Sequence, residues 1–166
     1  MKKIISIITL ILSTATLIYT GVDIFEDDEY LTGKVVKVAD GDTFTLLTNS
    51  NEKIRIRLYG IDAPENGQDY GSKSRQYLND LCYGKQVRVQ KIDTDHYGRT
   101  LGVVFVDGIN VNEELVRQGL AWYYREYADD PFLEALELSA RDKRINIWSM
   151  KNPVPPHEFR RNKRKK

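Results

Sequence analysis

Cysteine is almost absent: Cys82 stands alone among 166 residues. This excludes an intramolecular disulfide framework and any zinc centre built on CxxC pairs. Net charge is nearly absent too, with 25 Lys and Arg against 24 Asp and Glu. Binding of a polyanion through a bulk positive field is thereby excluded. The chain has no internal repeat and no low-complexity segment. With 41% hydrophobic and 30% charged residues it can build a core, and global disorder is excluded. Its length suits one domain, or one domain with tails.

The small net charge is a cancellation between segments. Lys2 and Lys3 precede an apolar run from Ile4 to Ile18, relieved only by Ser6, Thr9, Ser13, Thr14 and Thr16. The run falls short of the roughly 20 residues that span a bilayer. Ser13-Thr14-Ala15 offers a small-x-small cleavage pattern. Residues 1–21 therefore read as a signal peptide or an uncleaved N-terminal anchor. The expected location is outside the cytoplasm: secreted or periplasmic, or tethered to the membrane through residues 4–18. Residues 22–30, with Asp23, Glu26, Asp27, Asp28 and Glu29, read as an acidic linker. Residues 151–166 read as a basic tail. Pro153, Pro155 and Pro156 mark the end of regular structure, and six of the last seven residues are Lys or Arg.

The body, residues 31–150, starts as strands. Leu31 to Val38 alternates and is rich in Val, Thr43 to Leu47 is β-branched and apolar, and Ile54 to Tyr59 sets Ile54, Ile56 and Leu58 against Arg55, Arg57 and Tyr59. These three runs have no helix between them, which argues against a parallel α/β sheet. The spacing of Tyr77, Leu78 and Leu81 predicts a helix over 72–82, stopped near Gly84. Val87 to Ile92 and Leu101 to Val106 are two further strands. A short helix over 111–118 is expected, with Asn112 as a candidate cap, and a last helix follows Pro131 with Phe132, Leu133, Leu136 and Ala140 as its buried stripe. The expected fold is α+β, mainly β: a five-stranded OB-type Greek-key barrel with three helices.

Four polar strings exceed what such a fold needs: Asp40-Gly41-Asp42-Thr43, Arg57 running on to Asp62-Ala63-Pro64-Glu65, Asp95-His96-Tyr97-Gly98-Arg99, and Asn112 to Ala121. Each of the first two alone is ordinary turn chemistry. Together they offer hard oxygen ligands without His or Cys, which suits Ca²⁺ or Mg²⁺ and not zinc. The 12-residue pattern of an EF-hand is absent. Arg57 and Arg99 add guanidinium forks suited to phosphate. Carboxylates for a metal, two arginines and a spare Glu are the parts of metal-assisted phosphodiester hydrolysis.

From about Val35 to Trp148 these strings, with Asn112-Glu113-x-Leu115-Val116-x-x-Gly119 and the closing Ile145-Asn146-Ile147-Trp148, resemble the staphylococcal nuclease (thermonuclease) family. The resemblance implies an OB-type barrel with three helices and one bound Ca²⁺. It implies Asp42, Asp62 and the Ala63 carbonyl as metal ligands, with Asp40 and Thr43 as nearby support. Arg57, Glu65 and Arg99 match the catalytic positions, Glu65 handling the attacking water and the arginines the scissile phosphate. His96, Tyr97, Tyr124 and Tyr127 are candidate substrate contacts. The implied activity is calcium-dependent hydrolysis of DNA and RNA, favouring single-stranded or frayed regions, by a monomer that leaves 3′-phosphate ends. Two alternatives stay open: a non-catalytic OB-type module that only binds single-stranded nucleic acid, and a membrane-tethered interaction protein.

Overall fold

In the computed structural model residues 30–165 are described; the leader and all of the linker before Tyr30 lie outside them. β1 (Tyr30–Asp40) is long enough to serve two partners. One is β2 (Thr43–Thr48), with Val35 opposite Leu46; the other is β5 (Gln86–Thr94), with Leu31 opposite Val89. β2 pairs antiparallel with β3 (Lys53–Leu58), and β5 with β6 (Thr100–Val106). A parallel pairing of β3 with β6, Arg57 opposite Leu101, closes the five strands into a barrel. This closure sets Arg57 beside the start of β6, one residue after Arg99.

The remaining elements cover the barrel. β7 (Ile109–Asn110) extends β6, and β4 (Ile61–Asp62) pairs with β8 (Trp122–Tyr123), Asp62 opposite Trp122. The helices are α1 (Gly71–Cys82), α2 (Val111–Arg117), α3 (Pro131–Asp142) and α4 (Pro156–Lys163), with a 3-10 turn at Asn146–Ser149. Alternation along the strands sends Val35, Phe44, Leu46, Ile56, Val89 and Val104 into one core with Leu78 and Leu115 from the helices. Trp122 and Trp148 meet edge-on at 5.2 Å in a smaller cluster. Cys82 is fully buried, as a small apolar side chain, and its thiol is pushed up to about 12 by burial.

The five-stranded barrel and the three expected helices are all present; the helix count differs by one. Four helices, not three, appear among the described residues. The fourth forms where the prolines were expected to end regular structure. Proline suits the first turn of a helix, whose N–H groups have no partner anyway, and Pro156 starts α4. Asn110, not Asn112, caps α2, its side chain accepting from the Glu113 amide at 3.2 Å. Asn112 is buried instead and bonds the barrel: Oδ1 accepts from Val104 N at 3.0 Å, and Nδ2 donates to the Tyr59 carbonyl at 2.8 Å. On α3, Phe132 points to solvent, and Glu137 takes a place on the buried stripe.

Candidate active site

The first turn of the site is the β1–β2 hairpin. Asp40 lies opposite Thr43, and Gly41 between the two aspartates lets the hairpin pack down: a Cβ there would fall 2.7 Å from Ser74 Cβ and 2.8 Å from Ala63 Cβ. Asp42 is buried and organises its neighbours. Thr43 Oγ1 donates to its Oδ1 at 3.1 Å, and the Ala63 amide donates to its Oδ2 at 2.8 Å. The hairpin is thereby tied to β4, which carries Asp62.

Arg57, buried on β3, joins the two acids. Its Nη2 donates to Asp62 Oδ1 at 2.9 Å, and its Nη1 is ion-paired with Asp42 Oδ2. That Nη1 is sealed from solvent without an aligned hydrogen bond. Burial pushes the Asp62 carboxyl up, against the pull of Arg160 and Arg57. Asp40 is pushed up to about 7, first by burial and then by the charge of Asp42.

Arg99 is held on a different acid. Its Nε donates to Asp95 Oδ2 at 2.7 Å, while Asp95 Oδ1 accepts the amides of Tyr97 and Arg99 at 2.9 Å each. Burial opposes the ionised Asp95, but these bonds from Arg99 and Tyr97 outweigh it and hold its carboxyl below the usual range. The β5–β6 turn is thus a rigid cradle that presents one guanidinium.

These elements border one open cavity of about 630 Å³, whose wall includes Asp40, Asp42, Arg57, Glu65, His96, Arg99, Tyr124, Tyr127 and Arg160. Asp62 lies behind it, on a smaller cavity of about 220 Å³ that also borders Tyr124 and His157. Thr43 and Ala63 are buried against Asp42 and not on the cavity wall. Tyr97 is exposed and is not on the cavity wall, its ring tilted against His96 with centroids 3.8 Å apart and lying under Arg99 at 5.5 Å. Tyr124 and Tyr127 pack on one another at 4.5 Å, whereas Trp122 and Tyr123 are buried.

No three Asp, Glu, His or Cys side chains converge as a ready-made metal cluster among the described residues. The donor chemistry nevertheless fits a hard divalent cation. The donors are oxygen only, and Asp40 and Asp42 repel one another at the cavity wall, a conflict that a cation relieves. Asp42 and Asp62 already share one cation, the Arg57 guanidinium.

Two residues were not foreseen. Arg160, on α4, donates from Nη1 to Glu65 Oε1 at 2.6 Å and from Nη2 to Asp62 Oδ2 at 3.0 Å. In the sequence it is hidden among like charges; a Pro-Pro pair opening a helix was the signal. Glu137 is fully buried. Its Oε1 accepts the Tyr123 amide at 3.2 Å, and its Oε2 faces Arg125 Nη1 at 2.8 Å. It thereby fixes β8, the partner of the strand carrying Asp62. An acid at i+4 from Leu133 in an apolar stripe was its signal.

Residues 55–150 match the family model described as staphylococcal nuclease homologue. An uncharacterized endonuclease of Haemophilus influenzae is 45% identical over 130 residues, covering 78% of this chain and 73% of that protein. Protein ParB of Escherichia coli is 42% identical over 142 residues, covering 79% and 80%. A micrococcal nuclease of Shigella flexneri is 41% identical over 140 residues, covering 78% and 80%.

Proposed function

The chain belongs to the staphylococcal nuclease family, and from that premise we propose that it is a calcium-dependent nuclease acting on DNA and RNA. The observation that carries the reading is the arrangement of Arg57, Arg99 and Glu65 on one cavity, each held by a carboxylate or a guanidinium.

Asp42, Asp62 and the Ala63 carbonyl would hold the Ca²⁺, with Asp40 and Thr43 beside them. A bound Ca²⁺ would supply positive charge to the phosphate and polarise a water. The chain's own groups do the rest. Arg57 and Arg99 are stiffened by Asp62 and Asp95, so their N–H groups are already oriented when negative charge grows on the phosphoryl oxygens. Glu65 accepts a hydrogen bond from the attacking water and takes its proton. The water oxygen forms a bond to phosphorus as the P–O5′ bond breaks. The 5′ oxygen leaves with a proton drawn from solvent, and the phosphate stays on the 3′ side. Tyr124, Tyr127 and the Tyr97–His96 pair supply faces on which unpaired bases stack, which favours single-stranded or frayed substrate without reading its sequence.

A module that only binds single strands has no use for carboxylates and guanidiniums locked together at the cavity. The nuclease acts as a monomer outside the cytoplasm, secreted or periplasmic, or tethered through residues 4–18. The test is to incubate the full chain with single-stranded DNA and with RNA, in Ca²⁺ or in chelator, and to identify the product ends. Cleavage that needs the cation and leaves 3′-phosphates is expected. Binding without cleavage in Ca²⁺ would sink the enzyme reading.

A further inference from the structure

The match to the family model ends at residue 150, but the site does not. The segment that follows is docked by contacts of its own. Gln68 Nε2, from the loop between Glu65 and α1, donates to the Val154 carbonyl at 2.6 Å. Pro156 is buried, and the His157 ring lies parallel to Tyr124, 7° between planes with centroids 6.4 Å apart. From this seat Arg160 reaches both acids. Nη1 donates to Glu65 Oε1 at 2.6 Å and to Asp62 Oδ1 at 3.1 Å, and Nη2 donates to Asp62 Oδ2 at 3.0 Å.

Glu65 needs such a partner. It stands on a loop without regular structure, tethered by its amide to Gln68 Oε1 at 3.0 Å. Among the described residues, Arg160 is the one group that bonds its carboxylate. Asp62, by contrast, is fixed by β4 pairing and by Arg57. A forked guanidinium sets direction as well as charge, so a fixed Asp62 on one side of it defines where Glu65 sits on the other.

We propose that Arg160 is a positioning residue of the nuclease site: it clamps the Glu65 carboxylate to Asp62, so that the acid handling the attacking water is presented from one place. The C-terminal segment then forms part of the active-site wall. It holds the Glu65 loop at two points, Arg160 on Glu65 and the Val154 carbonyl on Gln68. Misplacing a reacting group by about 1 Å costs about 10²-fold in rate, and that is the scale of the expected loss. The assignment rests on the nuclease reading above.

The test compares full-length wild type, Arg160→Gln and Arg160→Lys. Three quantities are measured: single-turnover cleavage of single-stranded DNA, affinity for a noncleavable analogue of it, and amide hydrogen exchange over residues 64–70 without DNA. Arg160→Gln is expected to slow cleavage about 10- to 100-fold, leave affinity within about 3-fold, and speed exchange in the loop. Arg160→Lys should recover part of the rate, since an ammonium keeps the charge but loses the fork. Unchanged exchange over 64–70 overturns the clamp. Faster cleavage overturns it too, by making Arg160 a plug, and so does a rate loss explained wholly by weaker binding. A wild type that cuts nothing while Arg160→Gln still loosens the loop refutes the nuclease reading and leaves the clamp standing.

Discussion

Replacing Glu137 with Ala removes a buried carboxylate that lines neither cavity, yet it should weaken both the fold and the site. The carboxylate is fully buried, while its partners Arg125 and Arg141 are nearly half exposed, at 44% and 45%. Its desolvation cost and its attraction to these arginines roughly offset one another. Freed arginines rehydrate, so each exposed half-pair contributes about 0–1 kcal/mol. The decisive loss is the acceptor of the Tyr123 amide at 3.2 Å. An amide orphaned in the interior costs about 1–3 kcal/mol, and a small unfilled volume adds about 1 kcal/mol. The expected total is about 2–4 kcal/mol. Glu137→Gln keeps an acceptor and should lose under about 1.5 kcal/mol. Urea unfolding at fixed Ca²⁺, with slope and midpoint fitted separately, measures both variants. Equal losses for Ala and Gln would refute the reasoning, because charge and not the amide acceptor would then decide.

Three further outcomes follow from particular contacts. Gly71→Ala would place a Cβ 2.1 Å from the Glu65 carbonyl; backbone against backbone cannot yield cheaply, so thermal melting should show a loss of about 1–3 kcal/mol, with slower cleavage as Glu65 shifts. Changing the exposed Arg161, Lys163, Arg164 and Lys165 to Gln, with Arg160 kept, should weaken low-salt DNA affinity and reduce the slope of log K against log salt by up to about 3, with turnover at saturating DNA unchanged; an unaltered slope rejects this role for α4. Cys82, with its thiol pushed up from 9.0 to about 12 by burial, should resist a thiol reagent at pH 8 until the protein unfolds. Its folded pKa is raised, so its contribution to stability is full below pH 9 and is lost as pH rises toward 12; rapid labelling of the native protein at pH 8 would contradict the burial.

The barrel was legible because strand alternation and turn residues are local signals. Ile54, Ile56 and Leu58 already declare an inner face, and the Asx-Gly turn at residues 40–42 declares a hairpin. Arg57, Asp62 and Glu65 were legible as motif residues, but their convergence was not. It depends on the parallel closure of β3 on β6 and on the Asp42–Ala63 bond, contacts between segments distant in the chain. Asn110 and Asn112 show a finer limit. Both could cap a helix, and only the position of β6 decides that Asn112 goes inward to Val104. Composition alone marks the C-terminal segment as a tail, because six like charges usually stay in water. One of them, Arg160, leaves that company, since two acids of the site stand within reach of a helix that begins at Pro156.

The single-turnover rate of Arg57→Ala in Ca²⁺ at saturating single-stranded DNA, with its affinity for a noncleavable strand measured alongside, is the most direct measurement of what this site does. Loss of a guanidinium that acts on developing charge should slow cleavage about 10²- to 10³-fold, with strand affinity changed only a few-fold. Near-normal cleavage, or a loss of affinity equal to the loss of rate, would contradict the central claim that this cavity hydrolyses phosphodiesters with Arg57 on the transition state.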